Sequence, residues 1–159
     1  MKRNSFLVWV LCIFFATACT QETATKNPVS PTLYDRLGGV DAITLVVDQF
    51  IANVAVNPDM ERTFQPLLEE VSRLGGSSPK LASLRNNLID QMCEAAGGPQ
   101  MYRGKDMVTA HRGMNITAEE FNSMAKNLSD AIDKFNVPAA EKNELMAVIA
   151  SLQPQIVGK

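Results

Sequence analysis

The residue with the clearest capacity for chemistry is His111, the only histidine in the chain. A neutral imidazole binds a transition metal through one ring nitrogen, while the other nitrogen commonly donates to a carbonyl or carboxylate that fixes the tautomer. An ordinary zinc site needs further histidine or cysteine ligands, but the sequence has no second histidine and no CxxC spacing. A haem iron needs only one protein ligand, because the porphyrin provides four. His111 is therefore either a haem ligand or an ordinary packed or solvated side chain.

The segment around His111 has a distinctive order of residue types. It runs from Gly97 to Thr117 and reads GGPQMYRGKDMVTAHRGMNIT. A further group of residues near the start of the domain belongs to the same pattern: Tyr34, Leu37, Gly38 and Gly39. This order resembles the truncated haemoglobins of group 1, which are short globins. The resemblance covers residues 31–157 and implies an all-α fold, with a two-over-two helical sandwich around haem b.

The same resemblance implies a set of haem contacts. His111 is the expected proximal ligand of the iron, and Phe64 matches the aromatic residue that packs on the porphyrin face. Met107 lies one helical turn before His111 and on the same helix face. The other expected contacts are Leu84, Leu88, Tyr102, Met114, Ile116 and Phe121. Each of these side chains, Phe64 included, can instead be plain core.

The distal side departs from the family pattern. Beside Phe50, many members carry a tyrosine where this chain has Ile51. Leu84 and Leu88 stand where members often carry hydrogen-bonding groups. The resemblance therefore implies an apolar distal pocket, which lacks the donor that would stabilise bound O₂ and so favours CO or NO by comparison.

One more residue belongs to the expected distal set. Met92 continues the apolar stripe of Leu84 and Leu88, so it is either a sixth iron ligand, as in a cytochrome, or core filler. The polar residues on the same predicted helix are expected at exposed positions; they are Asn86, Asn87 and Gln91.

The N-terminus has the pattern of a secretory leader. Lys2 and Arg3 precede an apolar run over residues 6–18, which is shorter than the roughly 20 residues of a membrane span. Cys19 follows small residues, as in a bacterial lipobox, although Ala16 replaces the usual leucine. We expect a signal peptide over residues 1–18 and a lipidated tether over residues 19–31, with a lipid anchor on Cys19. Ordinary signal-peptidase cleavage nearby is the alternative.

Composition indicates one domain, which we place at residues 32–159. Without Lys2 and Arg3, the 15 basic and 17 acidic residues leave a net charge of about −4, which argues against nucleic acid as a partner. Removal of the leader and acylation of Cys19 would leave Cys93 as the sole thiol, predicted to be a buried small hydrophobe. Apolar residues recur at helical spacing and predict four main helices, at residues 40–54, 81–92, 121–135 and 145–156.

Reversible binding of O₂, NO or CO is the function that these features favour. The first alternative is a haem enzyme, either an NO dioxygenase or a peroxidase, which would need an electron donor such as a reductase and a polar pocket. The second is a haem-free helical envelope lipoprotein in which His111 is structural. The leader predicts a periplasmic protein held at a membrane by lipid. In a Gram-negative cell the outer membrane is expected, because Thr20 replaces the aspartate associated with inner-membrane retention.

Overall fold

The computed structural model describes residues 30–159, so the predicted signal peptide, Cys19 and most of the predicted tether lie outside the described residues. Within this range the chain forms α-helices joined by turns, with a 3₁₀ turn at Pro58–Met60 before α3. The helices are α1 (Leu33–Arg36), α2 (Gly39–Val56), α3 (Glu61–Arg73), α4 (Pro79–Ala95), α5 (Met107–His111), α6 (Ala118–Lys134), α7 (Ala139–Ser151) and α8 (Gln153–Ile156).

The all-α fold class is confirmed, and the four predicted main helices correspond to α2, α4, α6 and α7. Helix α2 lies at the centre and packs against both α4 and α6, while α6 also packs against α7. The apolar faces of these helices meet in one main core. Cys93 is fully buried in it, as predicted, and burial raises the pKa of this thiol to about 11.

Local capping explains where several helices begin. Thr117 Oγ1 accepts from the backbone N–H of Glu120 at 3.2 Å, and the Glu120 carboxylate accepts from the backbone N–H of Thr117 at 2.9 Å. This reciprocal capping box satisfies two donors that the first turn of α6 leaves free. At the start of α4, Ser78 accepts from the backbone N–H of Leu81 at 3.0 Å, and Pro79 occupies the first helical position.

The structure adds a helix that the sequence analysis did not predict. Helix α3 is 13 residues long and places its apolar side chains on one face at helical spacing. Pro66 lies inside it and obscures the pattern, because a proline usually marks the interruption of a helix. The predicted fourth helix is also divided, since α7 ends at Ser151 and Pro154 lies in the first turn of α8.

Helix α1 is attached to the end of α4 by Tyr34. The backbone N–H of Tyr34 donates to the carbonyl of Ala96 at 2.8 Å, and its hydroxyl accepts from the backbone N–H of Val40 at 3.1 Å. A β-carbon at Gly98 would lie 2.5 Å from the Tyr34 ring, so only glycine fits. This contact sets the direction in which the chain leaves α4 toward the segment that contains His111.

Candidate functional site

His111 is the last residue of the short helix α5. Asp106 caps this helix by accepting from the backbone N–H of Thr109 at 2.9 Å. The Nδ1 atom of His111 lies 2.8 Å from the carbonyl oxygen of Met107, one turn earlier. Because a carbonyl can only accept, Nδ1 carries the proton in this contact, and the lone pair of a neutral ring is then on Nε2. This is the arrangement in which metal-binding histidines are usually oriented.

Three adjoining cavities meet at His111 and Phe64. Their volumes are about 80, 230 and 570 Å³. The smallest extends toward the start of α6, the second lies between α2, α3 and α4, and the largest opens beside the loop that precedes α5. We call the three cavities together the His111 cleft, because His111 and Phe64 line all of them.

The structure brings most of the predicted site residues to this cleft. Phe64 and Met114 line two or more of the three cavities, as do Leu84 and Leu88. The remaining expected contacts each line one cavity: Tyr102 and Met107 the largest, Ile116 and Phe121 the smallest, and Phe50 and Ile51 the second. All the expected proximal and edge residues are therefore grouped around one space.

Met92 is a correction, because the structure does not bring it to the His111 cleft. Its side chain is 6% exposed and lies in the core, where it borders two other cavities near Leu145. A step of four residues along an α-helix turns the side-chain direction by about 40°. Over the eight residues from Leu84 to Met92 this rotation reaches about 80°, which carries Met92 from the cleft into the core. The prediction of Met92 as a distal residue or iron ligand is not supported by this position.

Two polar residues of α4 depart from the prediction in the opposite direction. Asn87 and Gln91 were expected to be exposed, yet both are half-buried and line the largest cavity, whereas Asn86 is exposed as expected. Gln91 Nε2 lies 3.3 Å from the sulfur of Met107. Two polar side chains of α4, those of Asn87 and Gln91, therefore line the cleft beside α5.

Helix α3 supplies lining residues that the sequence analysis missed. Leu67, Leu68 and Val71 line the second cavity together with Leu81 of α4. They follow Phe64 by three, four and seven residues, and this helical spacing is the signal that could have identified them. Among the described residues that line this cavity, His111 alone has a polar side chain. The described side chains of this cavity therefore offer no hydrogen-bond donor, because the Nδ1 proton of His111 is directed at the Met107 carbonyl and Nε2 carries the lone pair.

The mouth of the largest cavity carries positive charge. Arg103 and Lys105 line it within a tight turn that is closed by a hydrogen bond from the Tyr102 hydroxyl to the Lys105 carbonyl, 2.7 Å long. A β-carbon at Gly104 would lie 2.3 Å from that hydroxyl, so the turn requires glycine. An apolar cleft with an imidazole in its wall and cations at its mouth fits the chemistry of haem, which has an apolar macrocycle, a metal and two carboxylates.

An ion pair fixes the segment that follows His111. The guanidinium of Arg62 contacts the Glu120 carboxylate at 2.5 and 2.7 Å and donates to the carbonyls of Met114 and Asn115 at 3.2 and 3.3 Å. The Arg62 guanidinium lowers the pKa of Glu120 to about 2, and a hydrogen bond from the Thr117 backbone contributes. The start of α3, the loop after α5 and the start of α6 are thereby joined.

This ion pair predicts an acid-dependent loss of stability. The pKa of Glu120 is lower in the folded chain than its ordinary value of 4.5, so its contribution is present above pH 4.5 and declines as the pH falls toward about 2. We expect Glu120→Gln to lower the free energy of unfolding at pH 7, with a difference from the parent that narrows between pH 4.5 and 2. Urea unfolding followed by circular dichroism at several pH values measures this difference. A difference that stays constant with pH would contradict the assignment.

A family model and curated relatives match this chain. The model described as "Bacterial-like globin" matches residues 32–157. A group 1 truncated hemoglobin of Chlamydomonas moewusii is 31% identical over 144 residues, covering 89% of this chain and 76% of that protein. One from Mycolicibacterium paratuberculosis is 29% identical over 125 residues, covering 79% of this chain and 83% of its own length.

Solved structures agree in fold. The Fe(III) form of the truncated hemoglobin from Tetrahymena pyriformis is similar with a TM-score of 0.70 at 26% identity, covering 81% of this chain and 100% of that one. A 2/2 hemoglobin from Synechococcus in the cyanomet state, with covalently attached heme, gives a TM-score of 0.65 at 25% identity, covering 79% and 95%. The family match over residues 32–157 and these relatives lead to one assignment. The chain belongs to the bacterial-like globins, among the truncated haemoglobins of group 1.

Proposed function

We propose that this protein binds a diatomic gas reversibly at a haem b whose iron is held by His111. The observation that carries the proposal is the position of the imidazole, which faces three joined cavities while its Nδ1 atom is tied to the Met107 carbonyl at 2.8 Å. A neutral ring oriented in this way offers Nε2 as a ligand. Truncated haemoglobins bind haem, and the cleft has the lining and charge that this cofactor requires.

The surrounding residues receive distinct roles in this proposal. Phe64, Leu84, Leu88 and Met114 pack on the macrocycle and keep water from the metal, since all four border the space beside His111. The remaining proximal and edge contacts are Tyr102, Met107, Ile116 and Phe121. Arg103 and Lys105 lie at the mouth, where their charges can pair with carboxylates at the haem edge.

The distal lining determines which gas is favoured. When bound, haem supplies an iron atom with a coordination position for O₂, NO or CO. Phe50, Ile51, Leu84 and Leu88 present only apolar groups on the side of the second cavity. A hydrogen bond to a partly charged ligand contributes about 1.5–3 kcal/mol, so its lack weakens O₂ binding relative to CO and NO. The protein therefore discriminates against O₂ more than a globin with a distal donor does.

Absorption spectroscopy tests the proposed function directly. We expect the haem-loaded protein to show a five-coordinate ferrous form that binds CO readily. A six-coordinate ferrous spectrum would indicate an internal sixth ligand. A lack of haem uptake would contradict the proposal and favour the alternative of a haem-free helical envelope lipoprotein. Peroxidase or NO dioxygenase activity is disfavoured, because both benefit from polar distal groups and the second cavity presents none beyond the imidazole. A reductase or another electron donor remains a proposed partner for keeping the iron ferrous.

The proposal also includes the cellular location of the protein. The leader over residues 1–18 and the lipobox ending at Cys19 support export to the periplasm and attachment to a membrane by a lipidated tether. In a Gram-negative cell we place the globin domain, residues 32–159, at the outer membrane. The mass of the mature N-terminal peptide tests this directly: an acylated Cys19 agrees with it, and a free N-terminus at another residue contradicts it.

A further inference from the structure

The second cavity extends beyond the part of the cleft that the other cavities share. Phe64, Leu84, Leu88 and His111 also line the largest cavity, whereas a further group of residues lines the second cavity alone. We call the space bounded by this group the α3 chamber; its residues are Ile51, Val54, Ala55, Leu67, Leu68, Val71 and Leu81. The chamber lies between α2, α3 and α4 and opens toward His111.

Helix α3 forms the roof of the chamber without filling it. None of its 13 residues is buried, although Phe64, Leu67, Leu68 and Val71 form an apolar face directed at the chamber. These side chains are half-buried, so part of their apolar surface remains accessible to water. A ligand group in the chamber would cover this surface and gain about 25 cal/mol for each Å² of apolar area removed from water.

The size and polarity of the space define what it can accept. The cavity that includes the chamber has a volume of about 230 Å³. Part of this volume lies beside His111 and Phe64, in the cleft that haem would occupy, so the chamber itself is smaller. An apolar cavity of about 150 Å³ in another protein holds benzene, and a space of this order has room for a group of about four carbon atoms. A charged or strongly polar group is excluded, because the walls provide no partner to replace its water.

We propose that the α3 chamber is a binding site for the alkyl or aryl tail of a neutral ligand whose donor atom binds the haem iron. This inference rests on the proposed function, since it requires a ligand position on the iron beside the chamber. The site then accepts ligands larger than a diatomic gas. Affinity rises with the apolar surface of the tail until the chamber is full.

A series of n-alkyl isocyanides tests the inference on the ferrous, haem-loaded protein. Their terminal carbon binds ferrous iron as CO does, and the tail must then occupy space on the ligand side. Burial of one methylene group should strengthen binding about fourfold, which gives about 60-fold from methyl to n-butyl isocyanide. Equilibrium titration followed by absorbance gives each dissociation constant, and CO is titrated in parallel.

Variants that fill the chamber provide the structural test. Leu68→Trp and Val71→Phe, at positions about one turn apart on α3, place bulk in the chamber and should flatten the isocyanide series when each dissociation constant is expressed relative to that of CO for the same variant. Val56→Trp is the matched control, because Val56 of α2 is 83% exposed and lines no part of the cavity. Two different filling variants guard against the misfolding of either one.

The outcomes separate this inference from the function on which it rests. A rising series in the parent and the control, flattened by either filling variant, supports the chamber as the tail site. Ready CO binding with a series that is flat or falling in the parent would overturn the inference alone, as would a rising series that both folded filling variants retain. Failure to bind haem or CO would overturn the proposed function and the inference together.

Discussion

Replacement of His111 by alanine is expected to abolish stable haem binding. His111 is the chain's only histidine, and the three joined cavities meet at its imidazole. Loss of a residue that merely orients a metal ligand costs about 10–100-fold in metal affinity, so loss of the ligand itself should exceed the upper end of that range. The Soret absorbance that remains after gel filtration of the haem-loaded variant measures the effect.

Arg112→Ala is the matched control for this experiment, since Arg112 is the exposed neighbour of His111 and lines none of the three cavities. Addition of free imidazole to the His111→Ala protein should partly restore the spectrum, because the substitution leaves a space where the ring was. Circular dichroism checks that the helices persist. Normal haem retention by His111→Ala would remove the proximal assignment.

The parts of the fold that were predicted correctly depend on strong local signals. Helices α2, α4 and α6 each repeat apolar residues over several turns and bury that face in the core. The start of α6 has a local sequence signal, because Thr117 and Glu120 form a capping box at the expected place. Such signals act within a few residues, so one sequence is enough to recognise them.

Helix α3 escaped prediction because a proline lies within its apolar periodicity. Pro66 interrupts the pattern, and the face contains only four large apolar residues. The α3 chamber could not be predicted from the sequence, since its volume depends on how three helices pack together.

The distal set shows the limit of reasoning from helical stripes. Leu84 and Leu88 were assigned to the distal side and do line the second cavity, but Met92 on the same stripe lies in the core. A position on an apolar helix stripe predicts that the side chain is buried, but it does not show whether a cofactor or the protein core buries it. The choice between cofactor and core depends on the rotation of α4 relative to its neighbours, which is set by tertiary packing.

Substitution of Ile51 by tyrosine is expected to slow the dissociation of O₂ by about 10-fold to 150-fold. Ile51 lines the second cavity opposite a wall with no polar group other than the imidazole of His111. A phenol hydroxyl there would donate to a ligand that carries partial negative charge, and such a hydrogen bond contributes about 1.5–3 kcal/mol. Stopped-flow displacement of O₂ by CO measures the rate in the parent and the variant.

The effect must come from the hydroxyl and not from the size of the ring, and Ile51→Phe separates the two. If the donor is responsible, Ile51→Phe leaves O₂ dissociation within a small factor of the parent, while CO dissociation, which depends little on such a donor, is similar in all three proteins. Equal slowing of O₂ by tyrosine and phenylalanine would mean that the ring blocks the ligand's exit through the second cavity. An unchanged rate in Ile51→Tyr would mean that the side chain does not reach the ligand, and the apolar distal pocket would then no longer explain discrimination against O₂.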